Sequence, residues 1–304
     1  MLKPEEYFDP LPPEDRDTGF IAIESKSFGR NVWESFCRNR LALLGLICLA
    51  AMLLLAVFGP MLSPYAYDGM DAMARNQGSS AAHLFGTDQM GRDLFTRVLY
   101  GMRVSLLVGF ASTALNLVIG VLYGGIAGFV GGRVDRVMMR IVDVNYAVPA
   151  MIYMILLMLI FGSNIYSVML GICVNGWVNM ARIVRSQVMS LKEQEFAVAA
   201  YVIGASRRQI LFRHLLLNTM GPIIVTVTLM IPQAIFTEAF LSFIGIGISA
   251  PMASLGTLAQ DAKMLMNVYP MQMVWPVLVI CIVIFSLNFI GEGLETALNP
   301  RRRQ

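Results

Sequence analysis

Long uncharged runs separated by short charged ones make up most of this chain, and the lengths of the runs predict membrane-crossing helices. A helix needs about 20 apolar residues to cross the hydrocarbon core of a bilayer. The run 41–60 is free of charge and predicts a first span, and 104–132 predicts a second. The uncharged run 144–181 is 38 residues long, too long for one helix, and Gly162-Ser163-Asn164 divides it into a third and a fourth. A fifth covers 215–237 and continues through Glu238 to residue 244, and 271–291 predicts a sixth.

Prolines and small residues refine these helices. Pro222 and Pro232 are expected to kink the fifth span, and Pro149, shortly after Asn145, to kink the third near its start. Gly120, Gly124, Gly128 and Gly132 recur every four residues, so one face of the second span is bare backbone, suited to close helix packing. Ahead of it, Phe85-Gly86-Thr87-Asp88-Gln89-Met90-Gly91-Arg92-Asp93 reads as a helix start with Thr87 or Asp88 as cap. Leu94, Val98, Leu99 and Met102 then form an apolar face beside Arg92, Arg97 and Arg103. That pattern predicts a helix lying on the outer face of the membrane, either as a surface anchor or as a contact with a delivery partner or outer gate.

Between the fourth and fifth spans, Ser190 and Glu193 stand at capping-box spacing and predict a helix start. Phe196, Ala200 and Ile203 then share a face, and Gly204 can end the helix in a left-handed conformation. Ser206 can cap a second helix that opens with Arg207-Arg208-Gln209. The expected product is a helix–Gly–helix elbow over 195–206, lined by alanines small enough to enter another protein's groove. An amphipathic connector lying on the membrane would carry the same pattern.

Composition fits a polytopic, all-α membrane protein. Of 304 residues, 57% are hydrophobic and 14% charged, with mean hydropathy +0.64, against about 25% charged in soluble domains. The first apolar run begins at Leu41 behind a 40-residue polar tail, which is not the layout of a cleaved signal peptide. Pro4, Pro10, Pro12 and Pro13 among acidic residues make that tail read as disordered up to about Ser27. Trp33 and Phe36 with Arg30, Arg38 and Arg40 predict an interfacial helix over 28–40. Of the 23 Lys and Arg, 18 fall in 1–40, 133–143, 182–214 and 292–304, and 5 in 61–103 and 245–270. Positive charge collects on the cytoplasmic side, so both termini and the elbow are expected there.

Candidate chemistry is sparse. Cys37, Cys48, Cys173 and Cys281, with His83 and His214, show no CxxC or Cys/His ligand spacing, so neither a disulfide framework nor a metal site is expected. The 22 methionines follow no regular spacing and read as gap-filling in an apolar bundle. Glu238 is ionisable inside a span, which makes it a functional candidate. Toward the outer end of its helix it is expected to reach water or Lys263, and a structural pair or cap is preferred to a proton relay because no second intramembrane acid accompanies it. Asn116, Asn175, Asn179 and Asn288 are expected to hydrogen-bond between helices. No Ser/His/Asp set, HExxH or acidic dyad lies within the spans, which disfavours an intramembrane enzyme. An ion-coupled secondary transporter would need inverted repeats or paired intramembrane carboxylates, and neither is evident. The net charge of +3 gives no ground for a nucleic-acid partner.

From about Phe36 to Arg301 the chain resembles the C-type permease subunits of oligopeptide, dipeptide and nickel ATP-binding cassette importers. The resemblance rests on Phe85-Gly86-Thr87-Asp88-x-x-Gly91-Arg92-Asp93 followed by Val104-Ser105-Leu106-Leu107-Val108-Gly109, and on Arg182-Ile183-Val184-Arg185-x-Gln187. It rests also on Glu195-Phe196-x-x-Ala199-Ala200-x-x-x-Gly204-Ala205-Ser206 and Phe212-Arg213-His214. Toward the end it rests on Glu238-Ala239-x-Leu241-Ser242-Phe243-Ile244-Gly245-x-Gly247, Asn288-Phe289-x-Gly291-x-Gly293-Leu294 and Leu298-Asn299-Pro300-Arg301. Val198 stands where the coupling motif usually has glutamate, Leu217 where it has proline, and Leu255 where tryptophan is usual.

The resemblance implies half of a translocation path in the plasma (inner) membrane of a bacterium or archaeon. Its expected partners are a homologous permease subunit, two cytoplasmic ATPase subunits, an external substrate-binding protein and membrane lipid. The chain has no GxxxxGK[ST] phosphate loop, so ATP and Mg²⁺ are expected on the partners and no catalysis here. ATPase coupling is carried over to Glu195, Phe196, Ala199, Ala200, Ile203, Gly204, Ala205, Ser206, Arg207 and Arg213. An outer gate or binding-protein contact is carried over to Gly86, Thr87, Asp88, Gly91, Arg92 and Asp93. The expected layout is a cytoplasmic tail and interfacial helix (1–40), a first span (41–60), an external segment with an amphipathic helix (61–103) and a five-span permease core (104–304) with its coupling loop at 182–214. Peptides are the cargo the resemblance favours, with nickel or another small solute as the alternative.

Overall fold

A computed structural model describes residues 27–298; the disorder expected of the tail before Ser27 and the Asn299-Pro300-Arg301 end of the closing motif lie outside the described residues. Asn39 separates the first two helices, α1 (Phe28–Arg38) and α2 (Arg40–Leu62), and its side-chain oxygen accepts from the N–H groups of Leu41 and Ala42 at the start of α2. The helix expected over 28–40 is present as α1, ending at Arg38, with Phe36 buried and Trp33 exposed.

The next helix, α3 (Leu94–Val130), runs unbroken for 37 residues, about 55 Å at 1.5 Å per residue. Here the structure corrects the sequence reading. The stretch from Leu94 to Met102 is the first quarter of the second span, not a separate surface helix: Leu94, Val98, Leu99 and Met102 are all buried. They pack among Leu106, Ile235, Leu255 and Leu258. Apolar periodicity marks a buried face but does not say whether lipid headgroups or protein cover it.

After a turn with positive φ at Gly131 and Gly132 come α4 (Gly132–Ala147) and α5 (Ala150–Phe161). Gly132 therefore opens α4 instead of extending the glycine face. The two helices meet at an angle of 80° at Val148-Pro149, where the proline kink was expected. At 12 residues α5 is about 18 Å long, too short to cross alone. Thus α2, α3, α6 (Ile165–Leu191), α10 (Met220–Phe243) and α12 (Met271–Leu298) are each long and apolar enough to span a membrane, and the bent pair α4–α5 makes up to a sixth.

Gly162-Ser163-Asn164 breaks the long apolar run as expected, with Gly162 at φ +81° and Asn164 accepting from the Ser167 N–H to start α6. The helices α3 and α6 lie side by side and run parallel, joined through Gly120, Gly124 and Gly128. A Cβ on Gly124 would fall 2.2 Å from the Ala181 carbonyl oxygen, and one on Gly128 2.7 Å from that of Arg185. The glycine stripe is a packing face in the sense of close backbone approach.

Beyond α6, α7 (Glu195–Val202) and the single turn α8 (Arg207–Gln209) lead through a π-helical stretch, 210–215, to the turn α9 (Leu216–Asn218). The fifth span breaks at Thr219 (φ −92°, ψ 0°) and not at Pro222, which lies in the first turn of α10 where its missing N–H costs no bond. Pro232 is buried within α10, which continues through it. A short helix, α11 (Leu255–Lys263), is wedged against α10 so closely that a Cβ on Gly256 would fall 2.4 Å from the Ala239 carbonyl oxygen.

Candidate functional site

The sequence-selected residues fall at opposite ends of the bundle. At the α6 end, the elbow forms with the geometry expected of Gly204. Ala205 N–H donates to the Ala200 carbonyl and Gly204 N–H to that of Tyr201, both at 3.0 Å, while Gly204 adopts φ +92°. This pair of bonds is a Schellman cap, which reverses the chain after α7. Ser206 then accepts from the Gln209 N–H at 3.3 Å and starts α8.

Other parts of the elbow differ from expectation. Ser190 lies in the last turn of α6, so it forms no capping box with Glu193, and α7 starts at Gln194 without a side-chain cap. The residue of α7 that packs inward is Ala197, against Val184, Val188 and Ile210, with Ala200 partly covered. Phe196 and Ile203, expected to share a face with Ala200, are exposed, Ile203 at 86%. With Val198, Tyr201 and Val202 they form a bare apolar surface around the cap. Glu195, Ala199, Gly204, Ser206, Arg207 and Arg213 are exposed as well, and Ala205 is half-buried.

The elbow is held to the bundle from beneath. Arg185 on α6 makes a two-pronged contact with Asp135 on α4, its Nη2 donating to Oδ2 at 2.6 Å and its Nε to Oδ1. Arg182 donates to Asp143 at 3.0 Å and stacks over Tyr146. Lys192 Nζ donates to the Gly128 carbonyl at 3.1 Å, tying the end of α6 to the end of α3.

At the other end, residues 86–97 form a closed polar knot. The side chains of Thr87, Asp88, Arg92 and Asp93 are buried, together with Thr96 and Arg97. Gly86 (φ +78°) and Gly91 (φ +76°) take conformations that disfavour side chains, and a Cβ on Gly91 would meet the Asp71 carbonyl oxygen at 1.7 Å. Asp93, and not Thr87 or Asp88, caps α3, its Oδ2 accepting from the Thr96 N–H at 2.8 Å and the Thr96 hydroxyl at 2.7 Å. Its other oxygen meets His83 Nδ1 at 2.9 Å.

Asp88 is the hub of the knot. It accepts from the backbone N–H groups of Met90 and Arg92 at 2.8 and 3.0 Å, from Arg92 Nε at 2.7 Å and from Arg97 Nη1. Burial alone would raise its pKa, but the Arg92 backbone N–H, the charges of Arg97 and Arg92 and the Met90 N–H together hold it below the usual carboxylate value. Both arginines also reach Asp261 on α11, and Gln272 at the start of α12 donates to the Thr87 carbonyl at 2.9 Å and to Asn76 at 3.0 Å. Asp261 and Gln272 carry no local sequence signal, since their partners lie more than 160 positions away.

Glu238 is fully buried and does not reach Lys263, whose ammonium lies over the Phe243 ring. It accepts from the hydroxyls of Ser105 on α3 at 2.7 Å and Ser242 at 2.9 Å, and Ser105 in turn accepts from the Leu255 N–H of α11. The carboxylate thus joins three helices. Asn116, expected to bridge helices, packs its amide against Gly176, and its Oδ1 is buried with no partner among the described residues.

Comparison with known proteins matches this architecture. A family profile described as "Binding-protein-dependent transport system inner membrane component" matches residues 120–304, and one described as "N-terminal TM domain of oligopeptide transport permease C" matches residues 27–78. The oligopeptide transport system permease protein OppC of Bacillus subtilis is 42% identical over 99% of both chains. The dipeptide transport system permease protein DppC of the same organism is 41% identical over 99% of this chain and 94% of its own. The OppC protein of Escherichia coli K12 is 41% identical over 93% of this chain and 94% of its own. An inward-facing structure of the MetNI methionine ABC transporter shares the fold with a TM-score of 0.55, covering 67% of this chain and 96% of that one at 18% identity. With both profiles and whole-chain relatives in agreement, this chain belongs to the binding-protein-dependent transport permeases, in their OppC/DppC branch.

Proposed function

We propose that this permease forms half of a path for di- and oligopeptides and that the 195–206 elbow is where ATPase motion enters it. The observation that carries the coupling part is the exposed apolar surface of Phe196, Val198, Tyr201, Val202 and Ile203 on a short helix braced from below. Apolar side chains so exposed on a polar loop mark a docking surface, and a short helix seated in a groove is a standard mode of recognition. Closure of an ATPase pair on this helix would push through Ala197 on α6 and the π-helical stretch, both packed in one apolar cluster. Rigid-body rocking of the bundle would follow.

The partners on this reading are a homologous permease, two ATPase subunits that bind ATP and Mg²⁺, an external binding protein and lipid. The elbow lies in the cytoplasm with both termini, as the charge distribution favours, in a bacterial or archaeal inner membrane. Peptide cargo follows the relatives named for oligopeptide and dipeptide transport. Deleting this subunit is expected to abolish peptide uptake and to leave nickel accumulation unchanged; the reverse outcome moves the chain to a metal importer. Orientation is tested by thiol labelling. Cys37 should react from the cytoplasmic side and a cysteine replacing exposed Ser79 from outside, whereas labelling of both from one side rejects the topology.

A further inference from the structure

Beside the knot lies a cavity of about 280 Å³ bordered by Arg92, Arg97, Ser249, Thr257, Gln260 and Asp261. Two buried arginines line it, and their cavity-side contacts are long. Asp88 serves both from the protein side, bonded to Arg92 Nε at 2.7 Å and to Arg97 Nη1. On the cavity side both rely on one oxygen of Asp261, each through Nη2 at 3.5 Å, the outer limit of a hydrogen bond. Asp261 is also 37% exposed, and Arg97 Nε is buried with no partner among the described residues. The two arginines are thus fixed by one carboxylate and only loosely met by the other.

A buried guanidinium is best satisfied by a close, two-pronged carboxylate. The remaining walls leave room for one. The Ser249 hydroxyl already donates to the carbonyl of Ser163, another lining residue, at 2.7 Å. Across the cavity the backbone at Gly245 is bare at φ +90°, beside the Gln260 amide.

We propose that this cavity is a carboxylate subsite that receives the C-terminal carboxylate of a passing peptide in exchange for Asp261, an assignment that rests on the peptide reading above. A terminal carboxylate is common to unmodified peptides whatever their side chains. A path serving many sequences can therefore hold that group without selecting among them. The volume admits a carboxylate with its last residue.

The test uses the assembled importer in lipid nanodiscs, without nucleotide, and measures binding of a tripeptide as the free acid and as the C-terminal amide. Asp261→Asn removes the competing carboxylate and should tighten binding of the acid about tenfold with the amide unchanged. Gln260→Glu adds a competing carboxylate and should weaken the acid by a similar factor. A merely structural role would move acid and amide together. Equal affinity for acid and amide in the parent and both variants overturns the proposal. So does an effect of the variants confined to docking of the external binding protein, which would make an acidic side chain of that protein the occupant. ATP-driven uptake by the parent is measured in parallel in vesicles. Uptake of neither peptide form overturns the peptide reading and this subsite with it, whereas uptake without discrimination in the binding assay overturns the subsite alone.

Discussion

The two ends of the α3–α6 pair solve opposite problems with similar residues. Both carry a glycine in a left-handed turn and a run of arginines. In the 86–97 knot the polar groups point inward and are bonded to one another, and Gly91 is jammed against the Asp71 backbone. In the 195–206 elbow apolar groups point outward, and a Cβ on Gly204 would meet nothing within 4 Å among the described residues. The same turn chemistry thus serves a closed structural joint at one end and an open surface at the other. Burial separates the two, because a positive φ forces glycine in both places.

This contrast breaks most visibly at the buried charges. Asp88→Ala leaves Arg92 and Arg97 without their central partner, and the expected loss is about 3–5 kcal/mol of stability, read as a lower melting temperature and poor recovery from detergent. The glycines should differ next. Gly91→Ala combines a strained φ with a backbone clash and should cost about 3 kcal/mol or more. Gly204→Ala carries the φ strain alone, about 1–2 kcal/mol, and equal melting shifts for the two would refute the distinction. On the open surface, Ile203→Ala should change stability by no more than about 0.5 kcal/mol. Together with Ala200→Glu it should lower ATP-driven transport while leaving the protein inserted. Parental transport rates in both variants would remove the elbow from coupling.

On transport, the smallest effect is expected at Glu238. With two serine hydroxyls as partners, Glu238→Gln preserves the hydrogen-bonding shape and should cost less than about 1.5 kcal/mol, with the pH dependence of transport unchanged. A shifted pH profile would restore the proton-relay reading.

Much of the fold was legible without a structure, and the illegible parts share a cause. The break at Gly162-Ser163-Asn164, the bend at Pro149, the α1 helix and the Schellman cap at Gly204 follow from local backbone rules, which act over a few residues wherever the chain goes. The capping residue of α3 and the break before α10 are not readable without tertiary context. Asp88 could have capped a helix, but the arginines and the backbone of its own turn claim it first. Likewise, the spacing of Phe196, Ala200 and Ile203 describes a stripe, and only packing against Val184 and Val188 chooses Ala197 as the buried residue.

Local sequence rules set the main breaks between the apolar helices and the small-residue seam, and whole-chain similarity set the family. Hydrophobic length, glycine and proline act locally, and whole-chain similarity needs no coordinates. Tertiary structure decided that Leu94–Val130 is one helix and that Thr87, Asp88, Arg92 and Asp93 of the 86–93 motif are buried. It also decided that Asp261 and Gln272 complete the 86–97 knot and that Glu238 ties three helices together. The contacts of Asp261 with Arg97, Gln272 with Thr87 and Glu238 with Ser105 join residues more than 100 positions apart, and a buried polar group takes whichever partner the fold delivers to it.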